Sequence, residues 1–317
     1  MLNDHLKHYY NRLTPIDILV SAYCAVMLFL VSLRIREGGW TAAALMLNFS
    51  AVLVFAAVIA PMTDRIEHPL ARNPFTRWIR YVYPMFLLGP FFRWIYPIGR
   101  MYFPVPFDGW LLRADIAIFG FNVAKELAHR WGDRYWLTEW MNFSYLSYYW
   151  VTLYLPMYLY FSKRHREFMY VMFNAGIVIY ACFICQALFP AQGPVHYDPV
   201  ATGYLEAGPV TWFAREFLIR ADIPGGAMPS GHIAGTVAIF IYAWRYARKA
   251  FWATSPIVVS LCISTVYGRY HYAVDGIAGI LTALIGVYVI GPWLYARLFP
   301  RLNQELEEPD NASTVMA

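Results

Sequence analysis

The sequence predicts an all-α polytopic membrane protein with about eight transmembrane helices, and three observations carry that reading. The 317-residue chain is 59% hydrophobic with only 14% charged residues, where ordinary soluble domains carry about 25%. Its apolar residues fall in successive runs, most of them near the roughly 20 residues that cross about 30 Å of hydrocarbon as helix. Its arginines and lysines gather in short loops between those runs, which is an orientation signal rather than a folded basic surface. The formal charge of +5 therefore points to membrane topology and not to nucleic acid.

The elements follow in order. Met1 to Thr14 is polar, and no small-residue cleavage pattern follows the first apolar run, so that run reads as an uncleaved helix. The first span runs from about Pro15 to Leu33 and the second from about Trp40 to Pro61, with a tight hairpin over Arg34 to Gly39. A polar stretch, Met62 to Arg80, precedes a short third span over Tyr81 to Tyr96, which Pro84, Gly89 and Pro90 interrupt. Asp108 to Gly120 alternates apolar and polar faces at helical spacing and fits an interfacial helix better than a span, and Val123 to Trp131 reads as a second. The fourth span, about Glu139 to Phe161, is crowded with tyrosines. Those rings fit a lipid or acceptor pocket, or equally an interfacial belt and helix packing. The fifth span is about Phe168 to Phe189, and the longest polar loop, Pro190 to Met228, follows it. Three helices close the chain, at about Ser230 to Ala247, Ala253 to Tyr267 and His271 to Leu298, before a polar tail after Arg301 that reads as disordered. The four cysteines are too scattered for a disulfide framework, and Cys182 and Cys185 read as small packing residues in the fifth span.

Eight spans put both termini on one side. Loops on that side hold Arg65, Arg72, Arg77 and Arg80, then Lys163, Arg164 and Arg166, then Arg245, Arg248 and Lys249. The Pro190 to Met228 loop opposite holds Arg215 and Arg220 against four acids. The positive-inside rule then expects cytoplasmic termini. It also places His232, Arg269 and His271 together at the extracytoplasmic ends of their helices.

That convergence matters because the same residues carry chemistry. His271 and Asp275 are four apart, one helical turn on one face. A carboxylate there can fix the imidazole tautomer and sharpen the other nitrogen as a nucleophile. Arg269, two residues earlier, can grip a phosphate oxygen. His232 opens another helix after Pro229, Ser230 and Gly231. Two histidines and an aspartate can also hold zinc, but the adjacent arginine favours an anion over a cation. A transport site would sit near the bilayer midplane, whereas these residues lie at helix ends. The remaining reading is phosphoryl transfer: His271 attacks phosphorus, His232 as imidazolium protonates the departing alkoxide, and Arg269, Ser230 and the amides from Gly231 onward hold the phosphate. No metal or other cofactor is required.

Pro229-Ser230-Gly231-His232, followed by Tyr267-Gly268-Arg269-Tyr270-His271-Tyr272-Ala273-Val274-Asp275, resembles the type 2 phosphatidic acid phosphatase superfamily. The His-Tyr-x-Val-Asp form, followed by Gly279, looks most like its inositol phosphorylceramide synthase branch of inositolphosphotransferases. The resemblance covers roughly residues 78 to 298. It implies that the last six spans form a phosphatase-type bundle, with His271 as nucleophile, Asp275 as its orienter and His232 as general acid. Residues 1–77 would then be an N-terminal segment with two added helices, 78–300 the catalytic domain and 301–317 a tail. Two departures stand out. The Lys-x6-Arg-Pro motif of the phosphatases is missing, since Lys125 does not begin one, and Thr265 occupies the place of an arginine six residues before the nucleophile, with Arg269 as its substitute. In place of that motif, Phe189 to Pro194 is similar to the proline-glycine loop of the synthase-like branch, which makes Gln192, Gly193 and Pro194 substrate-loop residues, with His196 beside them shaping an acceptor pocket. A phosphodiester carries less charge than a phosphomonoester and needs fewer cations. The expected partners are a lipid phosphoester, a lipid hydroxyl acceptor and the membrane. Related possibilities are an isoprenyl (di)phosphate phosphatase and a non-catalytic lipid transporter or scaffold.

Overall fold

The computed structural model describes residues 13–59, 73–197, 205–221 and 225–307. Helix α1, Pro15–Leu33, begins where Thr14 and Asp17 close a capping box with proline at the first helical position. Helix α2, Ile35–Val54, continues as a π turn, Phe55–Ile59. The expected hairpin is there: Arg34 caps α1, and Gly39, at φ 51°, breaks the helical path. Most of the polar stretch from Met62 lies outside the described residues.

The third span is longer than expected. Helix α3 runs unbroken over Pro74–Tyr102 through Pro84, Pro90 and Pro97, because flanking turns and packed neighbours hold a helix past prolines that would end it in water. Helices α4, Asp108–Phe119, and α5, Val123–Trp131, fall where the amphipathic pattern places them. The fourth span is corrected: it is two helices, α6 over Tyr135–Leu146 and α7 over Tyr148–Phe161. At the break, the Ser147 N–H bonds both Phe143 and Ser144 carbonyls and the Ser147 hydroxyl also bonds Ser144, so side chain and tightened turn compete with the α-helical ladder. Helix α8, His165–Leu188, matches the fifth span. Short helix α9, Pro194–Tyr197, and α10, Pro209–Ala221, occupy the long loop.

The last three spans are α11 (Gly231–Tyr246), α12 (Arg248–Tyr267) and α13 (Ala273–Ile285), the last running through a π turn, Gly286–Ile290, into α14 (Gly291–Leu298). The tail is also corrected: α15, Pro300–Glu307, is helical, because Leu302 and Leu306 pack on the core and Arg166 pairs with Glu305 at 3.1 Å. Residues 308–317 lie outside the described residues. Among those described, five helical stretches are long and apolar enough to cross a membrane: 15–33, 35–58, 165–188, 248–267 and 273–298. Helix α11 has 16 residues, short of the usual span. All four cysteines are free, with Cys182 buried in α8 and Cys185 exposed on it.

Small residues set the crossing that matters most. A side chain on Gly279 of α13 would meet the Ser230 carbonyl oxygen at 2.7 Å and the Ala234 nitrogen at 3.4 Å. Glycine there lets α13 lie directly on the start of α11, as small residues do between membrane helices.

Candidate active site

The first wall of the site is the turn into α11. Pro229, joined to Met228 by a cis peptide, has no N–H to satisfy, and its carbonyl accepts from Gln186 Nε2 at 2.8 Å. Fully buried Ser230 then caps the helix, its hydroxyl accepting the Ile233 N–H at 3.4 Å. The Ser230 N–H donates to the Asp275 carbonyl at 3.1 Å, locking this turn to the opposite wall. Gly231 and His232 follow as the first residues of α11, where amides have no acceptor within the helix.

The second wall is the loop from α12 to α13. Arg269 adopts φ 64°, rare for a residue with a side chain. The loop holds it there: the Arg269 N–H bonds Val266 O at 3.0 Å, and Thr265 O accepts both Tyr270 N–H at 3.0 Å and His271 N–H at 3.1 Å. Arg269 is buried, and burial pulls its pKa below the ordinary arginine value. A guanidinium keeps its charge regardless, so this is a desolvated cation.

His271 is 4% exposed, and its ring sits 5.9 Å, centroid to centroid, from that of His232. The two histidines expected to work together are therefore brought together. His271 Nδ1 lies 2.9 Å from the Ala227 carbonyl oxygen. A carbonyl only accepts, so Nδ1 carries the proton and Nε2 keeps its lone pair. Asp275 Oδ2 is 3.6 Å from Nδ1 and instead accepts the Tyr272 N–H at 2.9 Å. The nearer orienting partner is thus a backbone atom of the opposite wall, with the carboxylate close behind. His232 is half-buried between Tyr145 and Tyr148, at ring distances of 5.0 and 4.4 Å, and its Nε2 lies 3.4 Å from the Tyr145 hydroxyl.

The third wall is the loop after α8. Gly193, at φ 84°, presses on the Tyr270 carbonyl where a side chain would collide. Pro194 begins α9, and the Val195 N–H bonds the Arg269 carbonyl at 2.8 Å. Gln192 is half-buried, while His196 is exposed on α9. The loop Gln192–Gly193–Pro194 therefore braces the backbone that carries Arg269 and His271.

Two carboxylates in this frame were read from sequence only as the polar face of an interfacial helix. Asp108 accepts the Gln192 and Gly193 N–H groups, each at 2.8 Å, and the Tyr272 hydroxyl at 3.1 Å. Asp115 accepts the Ala273 and Val274 N–H groups at 3.1 and 2.9 Å, capping the helix that follows His271. Both are fully buried, and burial pushes both carboxyls up against the amides that favour the charged form. Their spacing of seven, two helical turns on one face, was the available signal. Glu139 does similar service nearby, accepting Gly208, Val210 and Thr211 N–H groups at 2.8 to 3.0 Å at the start of α10.

Fold and site together define an integral-membrane protein with paired histidines over helix starts. The model of the PAP2 superfamily matches residues 109–289, and the chain belongs to that family. The match includes all three walls of the site and leaves α1, α2 and α3 outside it. A PA-phosphatase related-family protein of Dictyostelium discoideum is 25% identical over 165 residues, 45% of this chain and 30% of the relative. The chain thus spans under a third of that curated relative's length. No solved structure matches the chain.

Proposed function

We propose that the protein transfers the phosphoryl or phosphodiester group of a lipid phosphoester through a phosphohistidine on His271. His271 Nε2 attacks phosphorus, the bond to the lipid or headgroup alkoxide breaks, and His232 gives that alkoxide its proton. His232 then withdraws a proton from the acceptor hydroxyl, which attacks phosphorus and frees His271. Arg269 and the first amides of α11 hold the phosphate oxygens. The observation that carries this reading is the facing of the two histidine rings at 5.9 Å, with His271 Nδ1 committed to the Ala227 carbonyl. Family membership supports a lipid phosphate as substrate.

Within that chemistry, headgroup transfer of the inositol phosphate type is the finer proposal. Arg269 is the cation adjoining His271, and a diester's single negative charge asks for fewer cations than a monoester's two. The burial of His271 favours a lipid hydroxyl over bulk water as acceptor. The proposed setting has cytoplasmic termini and the site on the extracytoplasmic face, supported by the arginine-rich loops on the terminal side. The route calls for no metal.

Purified protein in detergent with EDTA, assayed beside His271→Ala, tests these points. Phosphatidic acid, isoprenyl phosphates, and phosphatidylinositol with ceramide are the panel, with inorganic phosphate and diacylglycerol both followed. Diacylglycerol released from the diester without free phosphate, and only with acceptor present, supports transfer. His271-dependent phosphate release makes the protein a phosphatase. Loss of activity in EDTA would sink the metal-free route.

A further inference from the structure

Beneath His232 lies a narrow cavity of about 70 Å³. Its site end is formed by Tyr148, which packs on His232, and by Gly235, one turn further along α11. From there the lining follows α7 from Tyr148 to Pro156, eight residues or roughly 12 Å of helix rise. No charged side chain lines it, and Ile16 and Leu19 of α1 and Gly176 of α8 belong to its wall. A side chain on Gly176 would meet Leu19 Cδ2 at 2.6 Å, so α1 packs closely on α8 at this wall. Met172 and Met85 flank it, unbranched side chains that repack around varied shapes.

We propose that this cavity receives a segment of one hydrocarbon chain of the lipid phosphoester held at His232 and His271, and that α1, part of its wall, limits how far the chain runs. The inference rests on the lipid-phosphoester reading. Continuity identifies the occupant: Tyr148 is shared by the site and the cavity, and a predominantly apolar cavity without charged side chains takes apolar matter. Helices outside the family match, α1 and α3, supply part of the cavity wall. The added N-terminal part of the chain is thereby a specificity element.

The test compares phosphatidic acid bearing two octanoyl or two oleoyl chains, in mixed micelles, on the full chain and two variants remote from the histidines. Gly176→Leu fills the cavity and should cut kcat/KM roughly tenfold for oleoyl while shifting octanoyl by less than about twofold. Leu19→Ala deepens the cavity and should move preference toward longer chains. Equal effects of both variants on both substrates, or none, would overturn the proposal. A second arm needs no turnover: a phosphatidic acid with a diazirine near one chain end is photolysed with His271→Ala protein. Crosslinks on the lining residues Ile16, Leu19, Met172 and Ala175 are expected; crosslinks confined to outward residues such as Phe29 and Leu281 would overturn it. Octanoyl turnover that ignores His271→Ala would defeat the phosphohistidine reading alone, while the crosslinks still decide where the chain lies.

Discussion

At the scale of single residues, the geometry ranks the groups around phosphorus. His271→Ala removes the nucleophile and should abolish turnover, with unchanged thermal unfolding in detergent as the control for folding. His232→Ala removes the leaving-group acid and should slow turnover by about 10²- to 10⁴-fold, less for substrates whose leaving group needs no proton. Asp275 is the informative case. A histidine that loses its sole tautomer-fixing carboxylate drops about 10⁴-fold in rate. Here the Ala227 carbonyl holds Nδ1 at 2.9 Å and Asp275 stands at 3.6 Å. Asp275→Asn should therefore cost roughly ten- to a hundredfold in kcat, well short of that figure. A loss as large as that of His271→Ala would return the orienting role to the carboxylate.

At the scale of elements, the site is a set of loops held by carboxylates on amides. Asp108→Ala would strand the buried Gly193 N–H, the half-buried Gln192 N–H and the Tyr272 hydroxyl, a buried group costing about 1–3 kcal/mol when left unsatisfied. A clear fall in the melting temperature in detergent is expected, with activity falling further than stability because the loop braces Arg269. Asp108→Asn, which keeps an acceptor, should lie between. Gly193→Ala combines a left-handed backbone with a collision on the Tyr270 carbonyl and should also lose activity. Much of this scale was legible beforehand. The Pro-Ser-Gly-His turn and the helices Asp108–Phe119 and Val123–Trp131 stand where spacing placed them, whereas the helix expected to open at His271 starts at Ala273, so His271 lies just before it with Asp275 still 3.6 Å away. The roles of Asp108 and Asp115 were not, because the amides they hold lie 84 and 158 residues away along the chain. No local pattern encodes such a pairing. The break at Ser147 was hidden for a different reason: no proline or glycine marks it, and only the serine hydroxyl competes with the ladder.

At the scale of the whole molecule, one buried ion pair pins the N-terminal helices to the rest. Fully buried Asp17 on α1 accepts Arg80 and, at 2.8 Å, the Tyr83 hydroxyl of α3, while also closing the Thr14 cap. Arg80→Leu leaves that carboxylate uncompensated and should destabilise the protein by about 3–5 kcal/mol, whereas replacing both partners by leucine should recover most of the loss. Thermal unfolding of the single and double variants measures both. Arg80 had been read as a loop charge reporting orientation, because a sequence shows charge but not the partner that draws it inside.

The phosphohistidine is the point on which the mechanism turns, and trapping it is the most direct measurement. The purified protein is mixed with a phosphate-labelled lipid phosphoester, quenched in alkali to preserve phosphoramidates, and mapped by peptide mass spectrometry. Acid-labile label on the peptide containing His271, absent in His271→Ala together with turnover, is the expected result. Turnover that persists in His271→Ala, or label that stays on another residue, would contradict it.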